Sequence, residues 1–383
     1  MRRPDPARST RLARALAFAL AVLAAAAGST PALAQDGRIR IGQSITLSGP
    51  GGEHGRAAAT GARIYVDEVN ASGGVAGRRI EIVTRDDGGE ATRATANVRE
   101  LIDKEQVVAL LGGVEGGPCV ATLKEASPRG VPLIGCMAGS PEMRDPPDRS
   151  SFPVRAGHVD EFARLLDIVR AYGYRRVAFL HADSDTGRRH LDNVRRLAGD
   201  RSIEVAAVAM TAGRAPEELA RAIAAAKVDA VFNHGSHATY VAVIEALTAR
   251  GDPPMFMAVN SGAAQMARAL GPKAKGLVFT QVVPFPWAVA VPVVKEYQQA
   301  LARHAPGTEP SFSGLEGYIG AKVLHAGLTA AGREATRSGI QRAMVSLGRL
   351  DLGGMEVRYG AGGYQGSRFV DTVIVASDGR FAR

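Results

Sequence analysis

From residue 39 onward, short apolar runs alternate with amphipathic stretches, and this rhythm constrains the fold more than any single motif does. Residues 39–45 read as a strand, Ala58, Ala62, Tyr65, Val66 and Val69 recur at helical spacing, and Ile80, Ile82 and Thr84 alternate with Glu81, Val83 and Arg85. Residues 107–111 and 131–134 are continuous apolar runs, as expected of strands buried on both faces of a parallel sheet. The order is βαβαβ.

The pattern restarts after a loop rich in Pro and Asp at 141–153. Helices are expected over 161–172, 189–197, 216–226 and 239–250, with strands over 177–180, 203–208, 228–232 and 255–259. An α/β protein of two doubly wound, Rossmann-like lobes follows. The tail adds a strand at 277–283, helices at 289–304 and 314–331, and strands at 355–359 and 369–375. These have no sheet of their own large enough to cover, so they must return to lobes already built and make a multi-crossover hinge. The expected division is 35–154 plus 285–350 for the N-terminal lobe and 155–284 plus 351–383 for the C-terminal lobe.

The net charge of +9 over 383 residues invites a nucleic-acid reading, but +4 of it lies before Gln35, in Arg2, Arg3, Arg8, Arg11 and Arg14 against Asp5. An uncharged run at 15–27 follows, too short for a bilayer core that needs about 20 apolar residues. Ala32-Leu33-Ala34 then supplies small residues at a cleavage site. Residues 1–34 read as a secretory signal peptide cut after Ala34, which predicts a periplasmic protein with no nucleic-acid partner and no direct membrane insertion. With two cysteines there is no disulfide scaffold and no four-thiolate zinc site. Cys119 and Cys136 are placed near adjacent strands, where a disulfide and two small buried thiols both remain open.

Several residues carry a resemblance to a known family. Ser48-Gly49-Pro50, Gly55, Gly61, the run from Val66-Asp67-Glu68-Val69-Asn70 through Gly73, Gly74 and Gly77 to Arg78, and Arg85-Asp86-Asp87 resemble the opening of the Leu/Ile/Val-binding proteins. Leu315-Glu316-Gly317-Tyr318 and Gly366-Ser367-Arg368-Phe369 extend the likeness over the chain. The resemblance implies the type I periplasmic binding protein fold, and a monomer that carries a solute to the membrane subunits of an ABC permease. That solute would be a small carboxylate-bearing molecule: a branched-chain or other amino acid, an amide or an aromatic acid.

Loops at strand C-termini are where open α/β sheets hold ligands. The loop at 48–55, with His54, is divided between turn chemistry and pocket lining. The glycine-rich loop at 112–117, with Glu115, Gly116 and Gly117, leads into a helix whose bare N–H groups suit an anion. Its glycines do not match a dinucleotide fingerprint. In the resembled family this loop offers a hydroxyl to the ligand's α-carboxylate, and Gly116 and Gly117 stand at those positions. The next loop supplies a threonine and carbonyls, and here Met137, Ala138 and Gly139 match it. The second lobe offers the loop at 183–187, with Thr186, an aromatic at about His237 and an acid at about Asn260. An amide at 260 weakens a charge-assisted bond of about 1.5–3 kcal/mol to an ammonium. A carboxylate without the amine, or an aromatic acid, therefore suits these positions as well as an ordinary amino acid. Phe285 and Trp287, beside Pro284 and Pro286, are candidates for a pocket wall or a local plug.

No cofactor, catalytic residue or metal ligand is expected. His234 and His237 sit at a strand end with no third ligand near in sequence. The run 183–187 imitates the start of a calcium loop but has Val194 at the twelfth position, so Asp185 or Thr186 is expected to cap a helix instead. Two other classes stay open: a sensor receptor that signals to a membrane partner, and a hydrolase-type enzyme using Glu115 and Glu142.

Overall fold

The computed structural model describes residues 37–383 apart from 212, 252, 261 and 361–365. The expected signal segment at 1–34 lies outside the described residues. The first half runs β1 (Arg38–Ile45), α1 (Gly52–Ala71), β2 (Arg79–Asp86), α2 (Ala91–Asp103), β3 (Ala109–Leu111), α3 (Gly116–Ala126), β4 (Leu133–Ile134) and β5 (Ser151–Phe152). These strands form one sheet in the order β2-β1-β3-β4-β5, with β1, β3, β4 and β5 parallel. The loop at 141–153 thus hides an edge strand.

Next come α4 (His158–Ala171), β6 (Arg176–Ala182), α5 (Asp185–Gly199), β7 (Glu204–Met210), α6 (Pro216–Ala225), β8 (Ala230–His234), α7 (His237–Thr248), β9 (Met255–Ala258), α8 (Ala263–Leu270) and β10 (Val278–Gln281). The chain ends with α9 (Pro292–His304), α10 (Phe312–Ala331), α11 (Arg337–Ser346), β11 (Arg349–Asp351), β12 (Glu356–Arg358), β13 (Asp371–Val375) and β14 (Phe381–Ala382). The second sheet has the order β14-β13-β10-β9-β8-β6-β7. It is parallel from β7 to β10, while β13 joins β10 antiparallel. These are the two α/β lobes that the alternation predicts.

Each sheet is covered on both faces by apolar side chains. The first lobe's larger core takes in Ile39 and Ile41 of β1 and Val293 and Tyr297 of α9, together with Leu315 and Ile319 of α10. It also takes in Leu352, Met355, Val357 and Tyr359, residues expected in the C-terminal lobe, because the β11–β12 ribbon lays its apolar side there. The chain then returns to the second sheet through β13. At the crossings, Ser367 N–H donates to the Val154 carbonyl at 3.0 Å and Tyr359 Oη donates to that of Pro153 at 2.8 Å. The first and last crossings are thereby laced together.

Helix α1 lies along α10 where both are narrowed by glycine. A Cβ built on Gly61 would fall 1.8 Å from the Gly314 carbonyl oxygen, and one on Gly317 would fall 2.0 Å from that of Ala58. Cys119 in α3 and Cys136 after β4 are joined by a disulfide with Cα atoms 6.1 Å apart. It ties the first turn of α3 to the loop after β4. With a sequence separation of 17 residues, opening the bridge is expected to cost about 3 kcal/mol. A fall in the urea midpoint on adding a thiol reductant, absent in Cys119→Ser/Cys136→Ser, is the measurement that checks it.

Candidate functional site

The loop after β1 is built by the two acids of the Arg85-Asp86-Asp87 motif. Asp86 accepts from the backbone N–H of Leu47 at 2.8 Å and from Ser48 Oγ at 2.6 Å, and Asp87 accepts from Thr46 Oγ1 at 2.8 Å. Such bonds hold the Asp86 carboxyl far below the usual carboxylate range, led by the Ser48 hydroxyl. The loop delivers His54 on the first turns of α1, where His54 Nδ1 and Ser313 Oγ of α10 lie 2.6 Å apart.

A cavity of about 230 Å³ opens beside His54. The first lobe supplies Glu53, His54 and Ala57 of α1 with Ser313 and Glu316 of α10; the second supplies Asn260, Gly262, Gln265 and Gln281; Trp287 comes from the second crossing. Glu316 and Gln281 are buried, yet Oε1 of Glu316 and both side-chain polar atoms of Gln281 have no hydrogen-bond partner. Arg155 Nε stands 3.9 Å from Glu316 Oε1, too far for a hydrogen bond. Burial pushes the Glu316 carboxyl up to about 7, against the pull of Arg155 and with the help of Glu161. Burial, with Arg155 and His237 adding, pushes His54 down to about 4, so it is neutral at pH 7.

Beneath this cavity Glu161 ties the first crossing to the second sheet. Its Oε2 accepts from Arg155 Nη2 at 2.5 Å and pairs with His158 Nδ1 at 2.8 Å, and its Oε1 accepts from Thr280 Oγ1 at 2.7 Å and the Asn260 N–H at 3.1 Å. Burial acts to raise this carboxyl, but Arg155 and His158 outweigh it and hold it down to about 2. The lips of the cleft also meet. Thr186 Oγ1 donates to Glu142 Oε1 at 2.8 Å, Gln265 Nε2 donates to the Pro50 carbonyl at 2.6 Å, and Arg268 pairs with Glu53.

The structure brings His54 and Asn260 together at the cavity, and places the His237 ring against Gly262 at its edge. Thr186 instead joins the lobes through Glu142, and Ser184 caps α5 through the Gly187 N–H, not Asp185 or Thr186. Phe285 lies behind Trp287 as a tilted pair, with centroids 4.9 Å apart, and Trp287 itself is 42% exposed. Met137 is packed in a small core with Ile45, Ala58 and Val114, and the Ala138 carbonyl accepts from Arg144. Gly139 passes so close to His158 that a Cβ there would lie 2.6 Å from Nδ1. Glu115 holds φ +69°, a strained angle for a non-glycine residue, and burial followed by Asp87 raises its carboxyl. Gly116 and Gly117 open α3, and a Cβ on Gly116 would be 2.7 Å from Ser140 Oγ. Ser140 of the neighbouring loop thus fills the space beside Gly116.

Glu316 and Gln281 were not among the expected site residues. A signal existed: Glu316 is a lone acid in the apolar face of α10, and a carboxyl buried there needs a partner.

Two α/β lobes, laced by repeated crossings and lining one cavity from both sides, define a two-lobed binding protein. The family model described as periplasmic binding protein matches residues 38–379, and the chain belongs to that family, in its type I, Leu/Ile/Val-binding-protein-like form. Leu/Ile/Val-binding protein homolog 7 of Brucella abortus (strain 2308) is 36% identical over 128 residues, 33% of this chain and 31% of that protein. The match therefore spans under a third of that relative's length. A possible leucine/isoleucine/valine-binding protein from Rhodopirellula baltica SH 1 superposes with a TM-score of 0.82 at 26% identity, over 91% of this chain and 97% of that one. A fatty acid ABC transporter substrate-binding protein from Thermomonospora curvata shares the fold, with a TM-score of 0.79 at 20% identity over 90% and 91% of the two chains. Among the described residues no helix is long and apolar enough to cross a membrane.

Proposed function

We propose that the protein is the extracytoplasmic solute-binding component of an ABC importer and performs no chemistry of its own. Its solute is a small amino acid or amide with an apolar or aromatic portion. The observation that carries this reading is the pair of buried groups in the cavity that lack hydrogen-bond partners, the Gln281 amide and Oε1 of Glu316. Buried polar atoms without partners are costly, so a solute that supplies both a donor and an acceptor there binds with more than shape alone. An ammonium or amide N–H suits Glu316, an amide or carboxylate suits Gln281, and Trp287 with Phe312 receives the apolar part. His54, Asn260 and His237 line or border the same space. The start of α3, with Glu115, Gly116, Gly117 and the neighbouring Ser140, does not line this cavity and takes no part in the proposed contacts. The lobes are proposed as 35–154 plus 285–359 and 155–284 plus 366–383. The lip contacts Thr186–Glu142 and Arg268–Glu53 belong to the closed form, which solute binding favours by its differential affinity.

A thermal-shift scan of amino acids, amides and aromatic acids tests this, after bound molecules are removed by unfolding and refolding. A ligand at about 100 times Kd should add about 2.7 kcal/mol of stability. No shift with any of them would overturn the reading. For a cationic ligand the sign with pH follows from Glu316: with its carboxyl near 7, the site is half charged at neutrality, so affinity should rise from pH 6 to pH 8 and level off above. Glu316→Gln should flatten that profile, read by calorimetry at each pH.

A further inference from the structure

Three histidines that lie far apart in sequence meet inside the second lobe. His158 opens α4, His190 lies in α5 and His234 ends β8. Their ring centroids are 4.0 Å apart for His190 and His234, 4.4 Å for His158 and His234, and 5.3 Å for His158 and His190. One ring nitrogen from each lies within 4.8 Å of those of the other two. The sequence pairs His234 with His237, but the fold turns His237 toward Gly262 and gives His234 these two partners instead.

Ordinary core packing does not account for the cluster. His190 is fully buried, and neither of its ring nitrogens has a hydrogen-bond partner. An imidazole always carries at least one nitrogen that must donate or accept, so this is an unmet demand aimed at two other imidazoles. His158 is already oriented. Its Nδ1 is 2.8 Å from Glu161 Oε2, which fixes the proton on Nδ1 and leaves Nε2 with its lone pair free to bind. A carboxylate behind a ligating histidine is the usual support of a metal site. Arg155 and Arg144 add positive charge nearby, and the carboxyls of Glu161 and Glu316 balance it.

We propose that His158, His190 and His234 form a binding site for a divalent transition-metal ion of the zinc class. Three imidazoles are a nitrogen donor set that suits zinc, cobalt, nickel or copper and not calcium or magnesium, which take oxygen. With metal–nitrogen bonds of about 2.0–2.1 Å, tetrahedral ligand atoms stand about 3.3 Å apart. The rings therefore need to close by at most about 1.5 Å. Three protein ligands leave a fourth position for water or a carboxylate. The ion would join the first crossing, through His158, to α5 and β8 of the second lobe. This site does not depend on the identity of the solute.

The test uses the full-length, untagged protein, stripped with a chelator and titrated with zinc by calorimetry and with cobalt by absorption. One equivalent of zinc, a four-coordinate cobalt spectrum, and a rise in Tm with zinc but not with calcium or magnesium are expected. His190→Gln and His234→Gln should each weaken zinc binding at least about 100-fold, while His304→Gln, on the outer surface beside Glu68, leaves it unchanged. No saturable zinc binding, or stoichiometric binding kept by both cluster variants, would overturn the proposal. If those variants do not fold, X-ray absorption at the zinc edge of the wild-type protein decides. Three imidazoles support the site, and a shell with fewer than two refutes it.

Discussion

Replacing Glu161 by alanine is expected to lower the free energy of unfolding by about 3–5 kcal/mol. The side chain is wholly buried and receives Arg155, His158, Thr280 and the Asn260 N–H. Its loss leaves the Arg155 guanidinium, 2% exposed, without its close carboxylate. Breaking one partner of a buried pair costs far more than the pair is worth against an apolar substitute. Glu161→Ala combined with Arg155→Leu should therefore recover part of the loss. Urea midpoints at constant m-value give the comparison. A loss under about 1 kcal/mol in the single variant would mean that Glu316, 3.9 Å from Arg155, takes over the charge.

Gly317→Ala should be nearly as damaging, by about 3 kcal/mol, and Gly320→Ala, one turn along the same helix, should have the opposite sign. At Gly317 the new methyl would stand 2.0 Å from a backbone oxygen of α1, which can only be relieved by driving the two helices apart. At Gly320 the nearest atoms are Leu111 Cδ1 at 3.8 Å and the Gly135 carbonyl oxygen at 3.9 Å, an ordinary contact distance. There the alanine gains the helix preference of about 0.5–1 kcal/mol. Thermal unfolding of both variants side by side tests the pair. Equal losses would show that α1 and α10 do not depend on that close approach.

The two-lobed α/β fold was legible because its strands are apolar runs and its helices keep a 3.6-residue stripe. What escaped has a local cause. The order βαβαβ implies a helix before 107–111, but its bounds do not show: α2 carries its stripe on Ala94, Val98, Leu101 and Ile102, and the turn before it holds no large apolar residue to mark the start. The strand β5 is two residues long, between Arg149-Ser150 and Pro153, and only its pairing with β4 makes it a strand. Helix α5 starts four residues earlier than its apolar pattern because Ser184 caps it and its first turn is polar. The site was less legible. His54 and Asn260 follow from strand-end loops, which topology assigns to ligands. Gln281 and Glu316 come from the end of an apolar strand and the second turn of an apolar helix, and only the return of α10 across α1 sets them around one cavity. Met137 and Ala138 lie on a strand-end loop as expected, but the turn points Met137 into the core.

The second sheet is finished by a strand from near the C-terminus. β10 has β9 on one side and β13 on the other, and the first lobe's core likewise waits for α9, α10 and the β11–β12 ribbon. Neither lobe has its full core before these late elements are present. Most multidomain chains fold domain by domain from the N-terminus as they emerge; here the last elements of the chain belong to both lobes. Until they are in place, both lobes keep open the apolar surface that α9, α10, the β11–β12 ribbon and β13 cover in the finished fold.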